Sequence, residues 1–324
     1  MIALASALIV ALTDSTYVAM RLNSAAERRV SSEYLLKSAV NLSRVLIKID
    51  KTDFDNPAED IWMQFIEGAE VPGAFLGISE QNVRIQLQIT SESGKIPLRQ
   101  LVNATGTQAN DQYRDLFRRL FKVLGFDLDE REVDQTALFA GKHFKSDELV
   151  ANLIDYMDSN TESYSAPGFA QGVEGDLPTT SPFRNEHIDS VSSELGSIPG
   201  FTPARVQRIL PFVTTTSSKI NINAAPKEVL MAISDDITDQ VAQAIIDYRN
   251  PASGGPFVPA TWIQELQRIT QSNDPNITSL TNIKSSYYEV IAKVDYGTSY
   301  FMARSVLRSL GAGRLPELRG IELF

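Results

Sequence analysis

The sequence predicts an α+β chain in which one very long N-terminal helix packs on an antiparallel sheet, while a helical domain interrupts the sheet-forming segments. Three observations carry this prediction. No Gly or Pro occurs before Pro57, and apolar residues keep a helical spacing through Ile49. Strict apolar–polar alternation marks Val83 to Ile89, and strand-like segments return at Tyr288 to Val294 and Tyr300 to Leu310. Between these ends, amphipathic runs are closed by Gly or opened by Pro, as helices are.

The first element is read as one continuous helix of about 50 residues, on the order of 75 Å long. No Lys or Arg precedes Arg21, and Asp14 is the one charge before it. About 20 such residues just span a hydrocarbon core of about 30 Å, so residues 1–50 are expected to anchor in a membrane and then turn amphipathic. A secretory signal peptide fits poorly, because no basic residue leads the apolar run and no small-x-small cleavage site ends it. Leu35, Leu36, Val40, Leu42, Val45, Leu46 and Ile49 supply the apolar face of the second half.

Further along, Ser93-Gly94 signals a turn. Asp111 to Leu124 is an amphipathic helix stopped by Gly125, and another helix is expected from about Asp147 to Met157. Ser159 to Pro182 is rich in Ser, Thr, Gly and Pro, which predicts a long loop of the kind that is functional or mobile. Helices are expected again near Val191, then over Pro203 to Leu210, Pro226 to Ile233, Thr238 to Tyr248 and Pro259 to Ile269. Lys219 to Leu230 reads as a strand-to-helix corner, with Asn223 capping the helix. A Tyr296-Gly297-Thr298 turn joins the last two strands.

Composition narrows the chemistry. The 324 residues carry a net charge of −10 and no cysteine, which excludes thiolate metal sites, disulfides and cysteine nucleophiles. His143 and His187 are the two histidines, both in polar stretches that read as surface, so no enzyme is expected. The acidic balance also argues against binding a phosphate backbone.

One region concentrates acids. Asp155 and Asp158 are three apart and share a helix face, Asn160 offers a carbonyl oxygen as the chain leaves that helix, and Glu174 and Asp176 lie on a glycine-flanked loop. Hard oxygen ligands gathered from a loop suit Ca²⁺. The alternative is a solvated acidic face.

Three motifs in order give the sequence a family resemblance. They are Leu153 to Asn160 with Gly172 to Glu174 downstream; Asn185 with Ser192 to Leu195; and Ile220 to Ala225, followed by Ile246-Asp-Tyr-Arg249. In this order they resemble the large minor pseudopilin of the type II secretion system, the general secretion pathway protein K family. The resemblance implies a pseudopilin fold: the long helix packed on an antiparallel sheet, plus an inserted all-α, helix-hairpin-helix/SAM-like domain. Its domains are expected at 1–50, at 51–105 with 217–324, and at 106–216 for the insertion.

The resemblance further implies a non-enzymatic subunit that caps the pseudopilus tip, initiates assembly and supports protein export. Its implied partners are other minor pseudopilins, the major pseudopilin, and a prepilin peptidase acting on a leader-bearing precursor. It places a single-pass helix in the bacterial inner membrane and the body in the periplasm, with no nucleic acid involved. Met1 is then expected to be the first mature residue. Ala5 stands where most pilin-like subunits carry a Glu that pairs with the amine of the subunit ahead, a trait suited to the tip. Calcium in the inserted region is implied as well, although Gly175 stands where the family has an acid and Asp176 follows one place later. Pro97 and Arg99 also depart from the family's first asparagine corner, and Tyr156 stands where tryptophan is common. The rival reading is a helix-hairpin-helix DNA-binding protein of a DNA-uptake type, centred on Asn221 to Arg249 and Ser197 to Phe201. Ser234-Asp235-Asp236 at the later turn puts carboxylates where a phosphate would sit.

Overall fold

A computed structural model describes residues 2–76, 83–250, 252–297 and 299–324, with the backbone alone at 2–11 and 74. Met1 and Thr298 therefore lie outside the described residues, as does the side chain of Ala5. In chain order the elements begin with α1 (Ile2–Ile49), β1 (Ala69–Val71), β2 (Arg84–Ser91), β3 (Ile96–Pro97), α2 (Asp111–Val123) and α3 (Ser146–Met157). Next come α4 (Val191–Glu194), α5 (Pro203–Ile209), β4 (Val213–Thr214), β5 (Ile220–Asn221), α6 (Lys227–Ile233) and α7 (Asp239–Tyr248). The chain closes with α8 (Trp262–Thr270), α9 (Pro275–Ser279), β6 (Thr281–Asn282), β7 (Tyr287–Asp295), β8 (Tyr300–Arg308) and β9 (Glu317–Leu323).

These elements form two compact units. The smaller comprises Met1–Asp50, Ile61–Thr90 and Glu289–Phe324. Its sheet runs β1-β2-β7-β8-β9, with β1 antiparallel to β2 and β8 antiparallel to β9. Ile85, Leu87 and Ile89 on β2, and Val290, Ala292 and Val294 on β7, are buried by the alternation the sequence displays. The long helix is a single element of 48 residues, as expected. Its buried stripe is Ser32, Leu36, Ala39, Val40, Ser43 and Ile47, whereas Val45 and Ile49 are exposed. The expected face is thus rotated. Small Ala39 and Ser43 occupy the middle of the stripe, and the Ser43 hydroxyl is satisfied by the Ala39 carbonyl at 3.0 Å. Each large apolar side chain buried here contributes about 1.5–3 kcal/mol. Among the described residues no helix is long and apolar enough to cross a membrane; side chains before Leu12 fall outside that statement.

The larger unit is Lys51–Asp60 with Ser91–Tyr288. The expected division, 51–105 with 217–324 against 106–216, runs differently. The reason is packing. One apolar core runs from Ile96 and Leu98, through Leu116, Phe117 and Phe121 of α2 and Leu149, Leu153 and Ile154 of α3, to Ile220, Ile222, Val229 and Ile277. Strands β3 and β4 pair in parallel with each other, as do β5 and β6, so neither ladder extends the main sheet. Asn223 does not cap α6 either. It is buried, its amide donating to the Phe257 and Ile283 carbonyls at 3.0 and 3.2 Å while its oxygen accepts from the Phe257 N–H at 2.9 Å. It fastens two distant segments to the corner.

Candidate metal site in the loop after the third helix

Helix α3 is almost wholly encased, and two of its buried residues are acids, Asp155 and, at the C-terminal cap, Asp158. A carboxylate with no exposed surface must be answered by hydrogen bonds. Asp155 Oδ1 accepts from the Tyr164 N–H at 2.5 Å and Oδ2 from the Glu174 N–H at 2.8 Å. One side chain therefore pins both limbs of the loop to the helix. Gly172 makes this possible: a Cβ there would lie 2.1–2.5 Å from the Asp155 carboxylate. Burial pushes the Asp155 carboxyl up, and the backbone donors of Tyr164 and Glu174 work against that push.

Around this clamp the polar groups are incompletely matched. Asp158 is 5% exposed, and its Oδ1 accepts from the Asn160 N–H at 3.3 Å. Burial, with the Asp155 charge adding to it, raises its carboxyl to about 6. Glu174 is 7% exposed, and both its oxygens are buried without a hydrogen-bond partner. Burial first, then the Asp155 and Asp158 charges, raises it to about 7. Asn185 is close enough to moderate that rise, but it forms no hydrogen bond with Glu174. Its amide nitrogen is donated to the Asn160 carbonyl instead, and its Oδ1 is buried and unpartnered. Asn185 also adopts φ +54°, a left-handed backbone that Asn tolerates better than most residues.

The structure thus relates Asp155, Asp158 and Glu174, and ties Asn160 to them through Asn185. Asp176 stays exposed, within a single 3-10 turn at Glu174–Asp176. Among the described residues no group of three or more His, Asp or Glu is arranged to hold a metal. The donor chemistry nevertheless suits a hard cation, since three buried oxygens, two on Glu174 and one on Asn185, have nothing to accept from. The sequence marks Asn185 as a motif residue but does not place it at this site, because an isolated Asn between Arg184 and Glu186 signals a left-handed turn only weakly. The neighbouring acids Glu186, Asp189 and Glu194 are spent on Arg184.

The two histidines are half-buried, which corrects their expected surface placement. His143 Nδ1 lies 3.2 Å from the Glu132 carbonyl and 3.5 Å from an Arg205 nitrogen, in a cluster that serves packing around Phe126.

Comparison with known proteins places this architecture. Two models of the type II secretion system protein K family match, at residues 94–218 and 220–279, together more than half of the chain. Both matches fall inside the larger unit and share its core. No curated protein matches. Among solved structures, the chain is similar to one in the GspK-GspI-GspJ complex of the type 2 secretion system from enterotoxigenic Escherichia coli. The TM-score is 0.62 at 14% identity, over 95% of this chain and 99% of that one.

Proposed function

The chain belongs to the type II secretion system protein K family, and from that premise we propose that it is the minor pseudopilin that caps the pseudopilus tip and initiates its assembly. The observation that carries this reading is the pairing of a long N-terminal helix with a unit, Lys51–Asp60 and Ser91–Tyr288, far larger than the sheet-bearing body. A subunit so enlarged does not stack repeatedly along a shaft. Ala5 suits the same place, because a carboxylate in lipid is costly without an amine to pair with. The structural relative stands in a complex with two other subunits; the partners proposed here are likewise other minor pseudopilins, with the major pseudopilin below them. The first 20 residues are proposed as a single inner-membrane span, with the body in the periplasm and prepilin peptidase as the processing enzyme.

Co-expression of the full chain with candidate minor pseudopilins, followed by co-purification and by secretion in a strain lacking its own K subunit, tests the proposal. A stable complex and restored secretion are expected. Secretion restored without any complex would overturn the tip reading. The rival DNA-binding reading draws less support. At the α6–α7 turn the Ser234 hydroxyl accepts from the Asp236 N–H and donates to Asp274, so the turn's own groups occupy what a phosphate would need.

Calcium in the loop after α3 is the second part of the proposal. Glu174, Asp158 and Asn185 would hold the ion through oxygen, with Asp155 fixing the loop and the Asn160 carbonyl adjacent. When bound, the ion supplies positive charge to carboxylates that burial otherwise drives toward protonation, and it orders residues 159–182. Thermal unfolding with millimolar calcium against chelator is expected to show a rise in Tm that Glu174→Ala abolishes.

A further inference from the structure

We infer that Arg21, together with Arg28 and Arg29, forms a collar on α1 that binds the phosphate headgroups of anionic phospholipids where the helix leaves the bilayer. The inference rests on the proposed membrane placement of the first 20 residues. In a chain of net charge −10, the segment 21–29 carries three arginines against the single acid Glu27, and no basic residue comes before it. All three arginines lie on exposed helix surface. Arg21 follows the apolar run at the depth, about 30 Å along the axis, where the hydrocarbon ends.

The local geometry favours a lipid surface. The Arg21 guanidinium lies over the ring of Tyr17, 4.8 Å from its centre, and Tyr17 is itself exposed. An aromatic ring one turn inside a cation is the arrangement of a membrane interface, where the ring sits at the headgroup level and the cation meets phosphate. Direction matters too. Helical side chains tilt toward the helix N-terminus, here toward the membrane, and the stacking of Arg21 back over Tyr17 follows that tilt. Arg28 and Arg29 stand about 10 Å farther out. Arg29 also contributes, behind Lys37, to holding the Glu33 carboxyl below its usual range, so Arg21 carries the largest share. Guanidinium groups suit this task because they bind phosphate oxygens in pairs and are weakly hydrated.

The test delivers the full chain to vesicles of phosphatidylcholine alone, and to vesicles in which about a third is phosphatidylglycerol, and measures the fraction that floats with each. Wild type is expected to associate with both and to favour the anionic vesicles. Arg21→Gln, Arg28→Gln and Arg29→Gln combined should remove that preference, by about fivefold per arginine, while leaving association with neutral vesicles intact. Arg21→Lys should retain most of the preference. These exposed changes leave the fold in place, as circular dichroism will verify. Equal flotation with both vesicles, unchanged in the triple variant, overturns the collar while the membrane helix stands. Flotation with neither overturns the membrane placement itself. An unchanged lipid preference with lost co-purification of a minor pseudopilin overturns the collar in favour of a protein partner for these arginines.

Discussion

Asp55 and Asp155 each anchor a buried carboxylate cluster in the larger unit, and the two clusters differ in how completely they are answered. Asp55 has no exposed surface, and every demand on it is met. Its oxygens accept from the Ser285 N–H at 3.0 Å, from the Asn221 amide at 2.6 Å and from the Ser285 hydroxyl, with Lys284 3.7 Å away. Asp155 is answered in the same manner, but its companions Asp158 and Glu174 are not, and Glu174 has two buried oxygens facing no donor. Completeness is what distinguishes a polar group that fastens the chain from one that is held ready for something else. The Asp55 clasp ties the strap 51–60 to the Asn221 corner. The loop cluster is built to the same standard at Asp155 and left open at Glu174, which is why the cation is proposed for the second and not for the first.

The largest expected effect falls on the complete cluster. Asp55→Ala leaves the Ser285 N–H and the Asn221 amide buried without their acceptor, so a loss of about 3–5 kcal/mol is expected in urea unfolding. That loss should be the same with calcium and with chelator. A loss below about 1 kcal/mol would show that the clasp contributes little beyond what water could replace.

Gly172→Ala comes next. The new Cβ meets a carboxylate that two backbone donors hold in place, so the loop must lift from α3 at a cost of about 2–3 kcal/mol. Because the loop carries Glu174, the calcium-induced rise in Tm should disappear with it. If stability falls and the calcium response survives, the two carboxylate roles are less coupled than the shared clamp indicates.

Raised carboxyl values predict a pH dependence of the metal-free protein. Asp158 moves from 3.8 to about 6 and Glu174 from 4.5 to about 7. For an acid raised on folding, the folded state holds its proton longer than the unfolded chain does. Stability is therefore highest below about pH 4, declines as the unfolded chain ionises, and levels off above about pH 7. These two groups should account for a decline between those limits, and Glu174→Gln should remove its own share. Calcium should reverse the trend, since it binds the deprotonated form. A metal-free profile that rises between pH 4 and 7 would mean that these carboxylates are ionised, and answered, in the folded state.

Local patterns made some of this legible and left the rest hidden for definable reasons. Helix α1 was plain because 48 residues without a breaker leave no other reading, yet its buried face was displaced because Ala39 and Ser43, too small to weigh in an apolar pattern, are wholly buried in the middle of the stripe. Ile220 and Asn221 were correctly read as extended, but their partner, Thr281 and Asn282, lies about sixty residues on, and no local spacing reveals it. That is why the larger packing unit reaches past the boundaries the sequence suggests. Strand β9 escaped notice because Glu317–Leu323 is a largely exposed edge with charges and Gly320, opposite a register shift at Val306. At the loop, Asp155, Asp158 and Glu174 were marked as candidates by spacing and composition. Asn185 was not, because its contribution depends on a left-handed backbone set by the fold.

The smallest expected effect separates the two sources most sharply. Asp176 belongs to the set that the sequence suggests, one place beyond Glu174 and flanked by Gly175. In the structure the 3-10 turn over Glu174–Asp176 sends these neighbours to different environments: Glu174 is buried and Asp176 exposed. The Gly175 N–H is held by the Ser163 hydroxyl at 2.8 Å, which fixes the turn that separates them. An exposed carboxylate without a partner contributes within about 0.5 kcal/mol of nothing to stability, so Asp176→Asn should leave urea unfolding unchanged. It should also leave the calcium-induced rise in Tm intact, while Glu174→Gln abolishes it. If Asp176→Asn weakens the calcium response as strongly as Glu174→Gln, the loop must close further on the ion, and the ligand set read from sequence is the right one.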